Sequence, residues 1–176
     1  MPAALLAQEE IPAAAAMIAP HMTPVVLERH TAGTFYVDGA LQGYGDLRLL
    51  VDTGSSHMVI NEAMLEMLKK SGNATFVRQT RGVMADGSPR GVPIYRLAAL
   101  RIGDSCWVRE VEAAIIPGNV RPILGMNVLA RLSPFTFSAE PAQINLQRCE
   151  ADAEAAAFDA GQAGSPVVAA DARRAE

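Results

Sequence analysis

Apolar and polar residues alternate along most of the chain between about residues 30 and 149, and the period of two predicts short strands divided by turn residues. Thr34–Leu41 is the first predicted strand. Gln42–Gly45 turns the chain into a second, Asp46–Val51, which carries Leu47, Leu49 and Val51 on one face. Further strands are predicted over Ala74–Thr80, Pro93–Ile102 and Cys106–Ile116. Gly103-Asp104 turns the chain between the last two, and Pro117-Gly118-Asn119 ends the run. Phe135–Ser138 and Gln143–Gln147 read as a final hairpin turned at Glu140-Pro141.

The period changes in two places. After Asn61, a good N-cap, come Glu62 in a first helical turn, Met64, Met67 and Leu68 on one face, Lys69 and Lys70 in a last turn, and Gly72 as a stop. Gly125–Leu132 is a second, shorter helical stretch. A glycine-rich segment, Gly82–Gly91, has Asp86-Gly87 at its centre, a hairpin-turn dipeptide. No segment repeats. The expected class is mostly β with one or two short helices.

Composition sets limits on this picture. The chain has 176 residues, half of them hydrophobic and 19% charged, enough apolar material for one core and short for two domains. Net charge is −4, which gives no electrostatic case for nucleic acid, and no apolar run is long enough for a membrane-spanning helix. The charge is segregated: residues 27–149 carry +2 and residues 150–176 carry −4. The expected organisation is a flexible Ala/Pro-rich leader over 1–30, a folded domain over 31–149 and a solvated acidic tail over 150–176. Met1–Gln8 resembles the end of a signal peptide but lacks a basic start and a long apolar stretch. A flexible leader and a truncated export signal both fit. Cys106 and Cys149 have no histidine at metal-ligand spacing, so no zinc site is expected. They form one disulfide in an exported chain or are two buried thiols.

The most informative string is Leu49–Ile60, LLVDTGSSHMVI. An apolar strand runs into Asp52-Thr53-Gly54-Ser55-Ser56 and out into another apolar stretch. A carboxylate so placed is costly unless hydrogen-bonded or paired. Thr53 and Ser55 offer hydroxyls, and Gly54 permits a sharp turn and close approach. The plainer alternative is that Asp52 only organises an Asx-turn. His57 follows the loop, but a Ser55–His57 nucleophile pair has no orienting acid, and neighbours on a strand point apart.

Three features together resemble the retropepsin-like aspartic proteases, in particular the small bacterial ones, over about residues 33–148. Asp52-Thr53-Gly54 matches the catalytic triplet. The hairpin around Ala85-Asp86-Gly87 lies where the family carries its flap. Ile123-Leu124-Gly125, continued by Met126-Asn127-Val128-Leu129, matches the signature of the second half. The resemblance implies a single-domain closed β-barrel or sandwich with a flap hairpin, and hydrolysis of peptide bonds by water held between two aspartates that share a proton.

The chain carries one such triplet, so the resemblance implies a homodimer with two copies of Asp52 on its axis, acting on a peptide or protein substrate without cofactor or metal. Within it, Thr53 would bond across to the partner loop, and Gly54 would present its backbone to substrate. Ser55 would donate to the outer carboxylate oxygen and favour an acidic working pH. Ala85, Asp86 and Gly87 would close over substrate, and Ile123, Leu124 and Gly125 would support the loop. Val83, Met84 and Ile94 are expected to line apolar pockets. The resemblance favours a periplasmic or exported setting, with the cytoplasm as the other possibility. The contrasting function is a catalytically silent domain of the same fold that dimerises or binds peptides.

Overall fold

A computed structural model describes residues 22–83, 87 and 89–150, and for Val83 the backbone only. The strands run β1 (Thr23–Val26), β2 (Glu28–Arg29), β3 (Phe35–Leu41), β4 (Gly45–Val51) and β5 (Met58–Asn61). Helix α1 (Glu62–Lys70) follows, then β6 (Ala74–Val83), β7 (Pro89–Ile102), β8 (Cys106–Ile116) and β9 (Ile123–Leu124). Helix α2 (Met126–Arg131), β10 (Phe135–Ala139) and β11 (Ala142–Leu146) complete the fold. It is mostly β with two short helices.

Six strands close into a barrel in the order β3-β4-β9-β5-β8-β7. Pairing of Gly39, Ala40 and Leu41 with Ile102, Arg101 and Leu100 returns β7 to β3 and closes the ring. Alternation along the strands sends one side-chain set inward. Leu49, Met58, Ile60, Leu97, Leu100 and Leu124 are wholly buried there. Each such side chain contributes about 1.5–3 kcal/mol of apolar burial. Strand β6 pairs with β7 outside the ring and continues to Val83↔Pro89, so the hairpin arms reach further toward the tip than the sequence pattern predicts.

Helix α1 forms where the caps place it. Asn61 Oδ1 accepts the Met64 N–H at 2.9 Å, Glu62 lies in the first turn, and Lys69 and Lys70 lie in the last. The buried stripe is Met64, Leu65 and Leu68, and Met67 is 50% exposed, which corrects the predicted face. At 100° per residue Met67 lies roughly 100° from the centre of that stripe.

Residues 23–29, which the sequence pattern assigns to a leader, form two strands. β1 pairs antiparallel with β11, giving a three-stranded sheet β1-β11-β10, and Val25 and Leu27 enter the core. Cys106 and Cys149 form a disulfide that fixes the segment after β11 to the start of β8. Of the open alternatives for these cysteines, the bond is the one present. The expected leader before Met22 and tail after Glu150 lie outside the described residues. Among the described residues no helix is long and apolar enough to cross a membrane.

Candidate active site

The Asp52 turn is built at the place where three segments meet. Strand β4 enters it, β5 leaves it, and the two-residue strand β9 lies between them. Ile123 pairs in parallel with Leu50 and antiparallel with Val59, while Leu124 pairs with Val51. The Leu50 N–H donates to Pro122 O at 2.9 Å and the Asp52 N–H to Leu124 O at 3.1 Å. The neck of the loop is thus clamped by a segment about seventy residues downstream.

Helix α2 completes the clamp. Its first N–H groups have no partner within the helix and need acceptors elsewhere. Met126 N–H donates to Ser55 O at 2.8 Å and Asn127 N–H to Ser56 O at 3.2 Å. The Asn127 carboxamide accepts the Met58 N–H at 2.7 Å and donates to Glu112 O at 2.7 Å, joining α2, β5 and β8. Gly125 is required at the junction, because a Cβ there would overlap the His57 carbonyl.

Inside this frame Asp52 is half-buried, and Thr53 and Gly54 are exposed. Asp52 Oδ1 accepts the Gly54 N–H at 2.8 Å, and Ser55 N–H donates to Asp52 O at 3.3 Å. The Asx-turn is therefore real, and it is also what holds the carboxylate: one oxygen is fixed by the backbone. A side chain at Gly54 would bring a carbon to 3.1 Å from that oxygen, so glycine keeps the hydrogen bond uncrowded.

The hydroxyl of Ser55 does not reach the carboxylate. It donates to the His57 carbonyl at 2.9 Å and stiffens the exit from the turn. The Ser55 hydroxyl is thus not a donor to the carboxylate, contrary to the expectation of an acidic working pH on that ground. The His57 ring meets Ser56 instead, with Nδ1 3.1 Å from Ser56 Oγ. The nearby Glu112 carboxylate is held by Arg78 at 2.7 and 2.8 Å, and that guanidinium keeps its carboxyl below the usual carboxylate range. Ser55, His57 and Glu112 do not make a relay.

Ile123, Leu124 and Gly125 all stand against the Asp52 turn, and Leu124 is wholly buried. Ala85 and Asp86, expected at the hairpin tip, lie outside the described residues, as do Met84 and the Val83 side chain. Gly87 is exposed at the tip. Ile94 is wholly buried with Val92 and Ala114 beneath the hairpin, which removes it from any pocket lining in the single chain. Sequence reasoning missed the bridging role of Asn127, whose only signal was an amide side chain directly after Ile123–Met126. Asn61 has a second duty besides capping: its Nδ2 donates to Val120 O at 3.2 Å and ties down the 117–122 loop.

The model of a family described as "gag-polyprotein putative aspartyl protease" matches residues 37–131. Among solved structures, a retropepsin-like aspartic protease from Rickettsia conorii superimposes with a TM-score of 0.53 at 18% identity. The match covers 72% of this chain and 92% of that one, and at this identity it shows a common fold. No curated protein matches the chain.

Proposed function

The chain belongs to the gag-polyprotein aspartyl protease family, and from that premise we propose that it is an aspartic endopeptidase, active as a homodimer. The observation that carries this reading is the Asp52 turn. A half-buried carboxylate ends β4 with one oxygen fixed by Gly54 N–H, and Thr53 and Gly54 are exposed beside it. The sequence carries a single Asp-Thr-Gly. The chemistry needs two carboxylates about 3 Å apart, which together keep one proton. A second copy across a two-fold axis supplies the other.

In the proposed reaction the ionised carboxylate takes a proton from water as its oxygen attacks the peptide carbonyl. The protonated partner gives its proton to the carbonyl oxygen. The tetrahedral intermediate collapses as the amine departs with a proton. Thr53 braces the two turns against each other, and Ile123–Gly125 hold each in place without touching substrate. The β6–β7 hairpin closes over an extended peptide. The Cys106–Cys149 disulfide supports an oxidising working compartment.

The deciding experiment is cleavage of a peptide library by the wild type and Asp52→Asn, with molecular size measured in parallel. Cleavage by a dimer that Asp52→Asn abolishes supports the reading. Equal activity in the two, or an active monomer, sinks it. A dimer that binds peptides without cutting them is the silent module instead.

A further inference from the structure

Arg121 lies in the loop that leads into β9 and is exposed. Among the described residues no carboxylate pairs with it, and its Nη1 donates to the Tyr36 hydroxyl. The residues that follow, Pro122 and Leu124, accept the N–H groups of Leu50 and Asp52, so Arg121 begins the segment that flanks the active carboxylate.

Tyr36 is level with Leu50 in the β3–β4 ladder. Directly opposed residues share a face, so Tyr36 and Leu50 lie on one side of the sheet, and β4 runs from Leu50 through Val51 straight into the Asp52 turn. The Arg121 guanidinium is brought to that side by the Tyr36 hydroxyl. Two carboxylates on the same face of the ladder, Glu28 and Asp38, are both taken by Arg48 at 2.8 and 3.0 Å. The His30 ring meets that of Tyr36 at a 50° tilt with centroids 4.5 Å apart, and its Nε2 lies 3.1 Å from Glu28. A planar guanidinium with one N–H engaged by a phenol keeps its remaining donors for a second acceptor, and a carboxylate fits that fork best.

We propose that Arg121, positioned by Tyr36, is a specificity-determining residue that selects peptide substrates with an acidic side chain close to the scissile bond. The inference rests on the protease reading of the site. In a two-fold dimer one Arg121 stands on each side of the scissile bond, so the preferred substrate is acidic on both sides. A loop pin of purely structural use would alter stability and leave the charge preference alone.

The test uses matched peptides with Glu, Gln or Lys scanned through each position flanking the cleaved bond. The readout is the ratio of kcat/KM between them for the wild type, Arg121→Met, Arg121→Glu and Tyr36→Phe. The wild type should favour Glu over Gln by about ten-fold, the worth of one hydrogen bond to a charged group. Arg121→Met should bring that ratio to unity, Arg121→Glu should turn the preference to Lys, and Tyr36→Phe should lower the ratio. A wild type without preference, or a preference that survives in Arg121→Met, overturns the inference. Binding of the same peptides to Asp52→Asn, followed by fluorescence anisotropy, separates the two readings. Cleavage without charge preference defeats the acid selectivity alone. Acid-selective binding that depends on Arg121, with no cleavage by the wild type, defeats the protease reading alone. Neither binding nor cleavage of any peptide defeats both.

Discussion

Asn127 Oδ1 accepts the Met58 N–H at 2.7 Å across 69 positions of sequence, and this one bond ties the exit of the Asp52 turn to the first turn of α2. The same carboxamide donates to Glu112 O. Asn127→Ala leaves a part-buried donor and a part-buried acceptor without partners, which should cost about 2–3 kcal/mol. Urea unfolding of the variant checks this. Asn127→Asp, which keeps the acceptor but sets a carboxylate oxygen against the Glu112 carbonyl, should cost at least as much, and an unchanged midpoint in both would show that the bridge is incidental.

Gly125→Ala should be among the most damaging single changes in the chain. The added methyl meets backbone at His57 and Met58, not the end of a movable side chain. Relief requires β9 and β5 to part, at about 3 kcal/mol or more. The expected result is a large fall in Tm, together with loss of any activity that depends on Asp52. A Tm within a degree or two of the wild type would contradict the packing described.

Cys149→Ser opens a loop with a sequence separation of 43. In the chain-entropy account a closed loop of this length stabilises by roughly 4 kcal/mol. Denaturant midpoints measured with and without a reductant should therefore differ in the wild type and coincide in the variant.

Glu112 has its carboxyl held below the ordinary value of 4.5, first by the hydrogen bond from Arg78. A depressed carboxyl contributes stability that is present above its unfolded value and lost as the pH falls through its folded value. Glu112→Gln should therefore lower Tm modestly at neutral pH, and the gap to the wild type should close as the pH falls below about 4.5. A profile parallel to the wild type throughout would show that the pair does not contribute.

If the active form is a dimer, specific activity should fall as the protein is diluted below the dissociation constant, and should recover on reconcentration. Constant specific activity across that range, with a monomer seen by size, would refute the shared site.

Most of the barrel was legible because its long strands alternate cleanly and its turns carry glycine. Helix α1 was legible because Asn61, Glu62, Lys69, Lys70 and Gly72 mark both ends. What escaped depends on partners distant in sequence. β1 contains Pro24 in an Ala- and Pro-rich stretch, and it is a strand because β11 offers it an edge. β9 is two residues long and has no period of its own. The Asp52 turn stood out as a motif, but the direction of the Ser55 hydroxyl did not: a carboxylate and a carbonyl lie within three residues of it, and the folded backbone chose the carbonyl. Asn127 was visible as a residue and invisible as a bridge, since both of its partners lie on other strands.

The clamp on the Asp52 turn also sets an order of events during synthesis. The ribosome delivers Asp-Thr-Gly long before Pro122–Asn127, which supply the acceptors, the helix start and the carboxamide that shape the turn. Contacts of such separation form late, because the intervening chain must be ordered first. A nascent chain stopped short of α2 carries the carboxylate without its frame. The turn is therefore completed only when nearly all of the described fold has been made, and its geometry reports on the finished barrel rather than on any local segment.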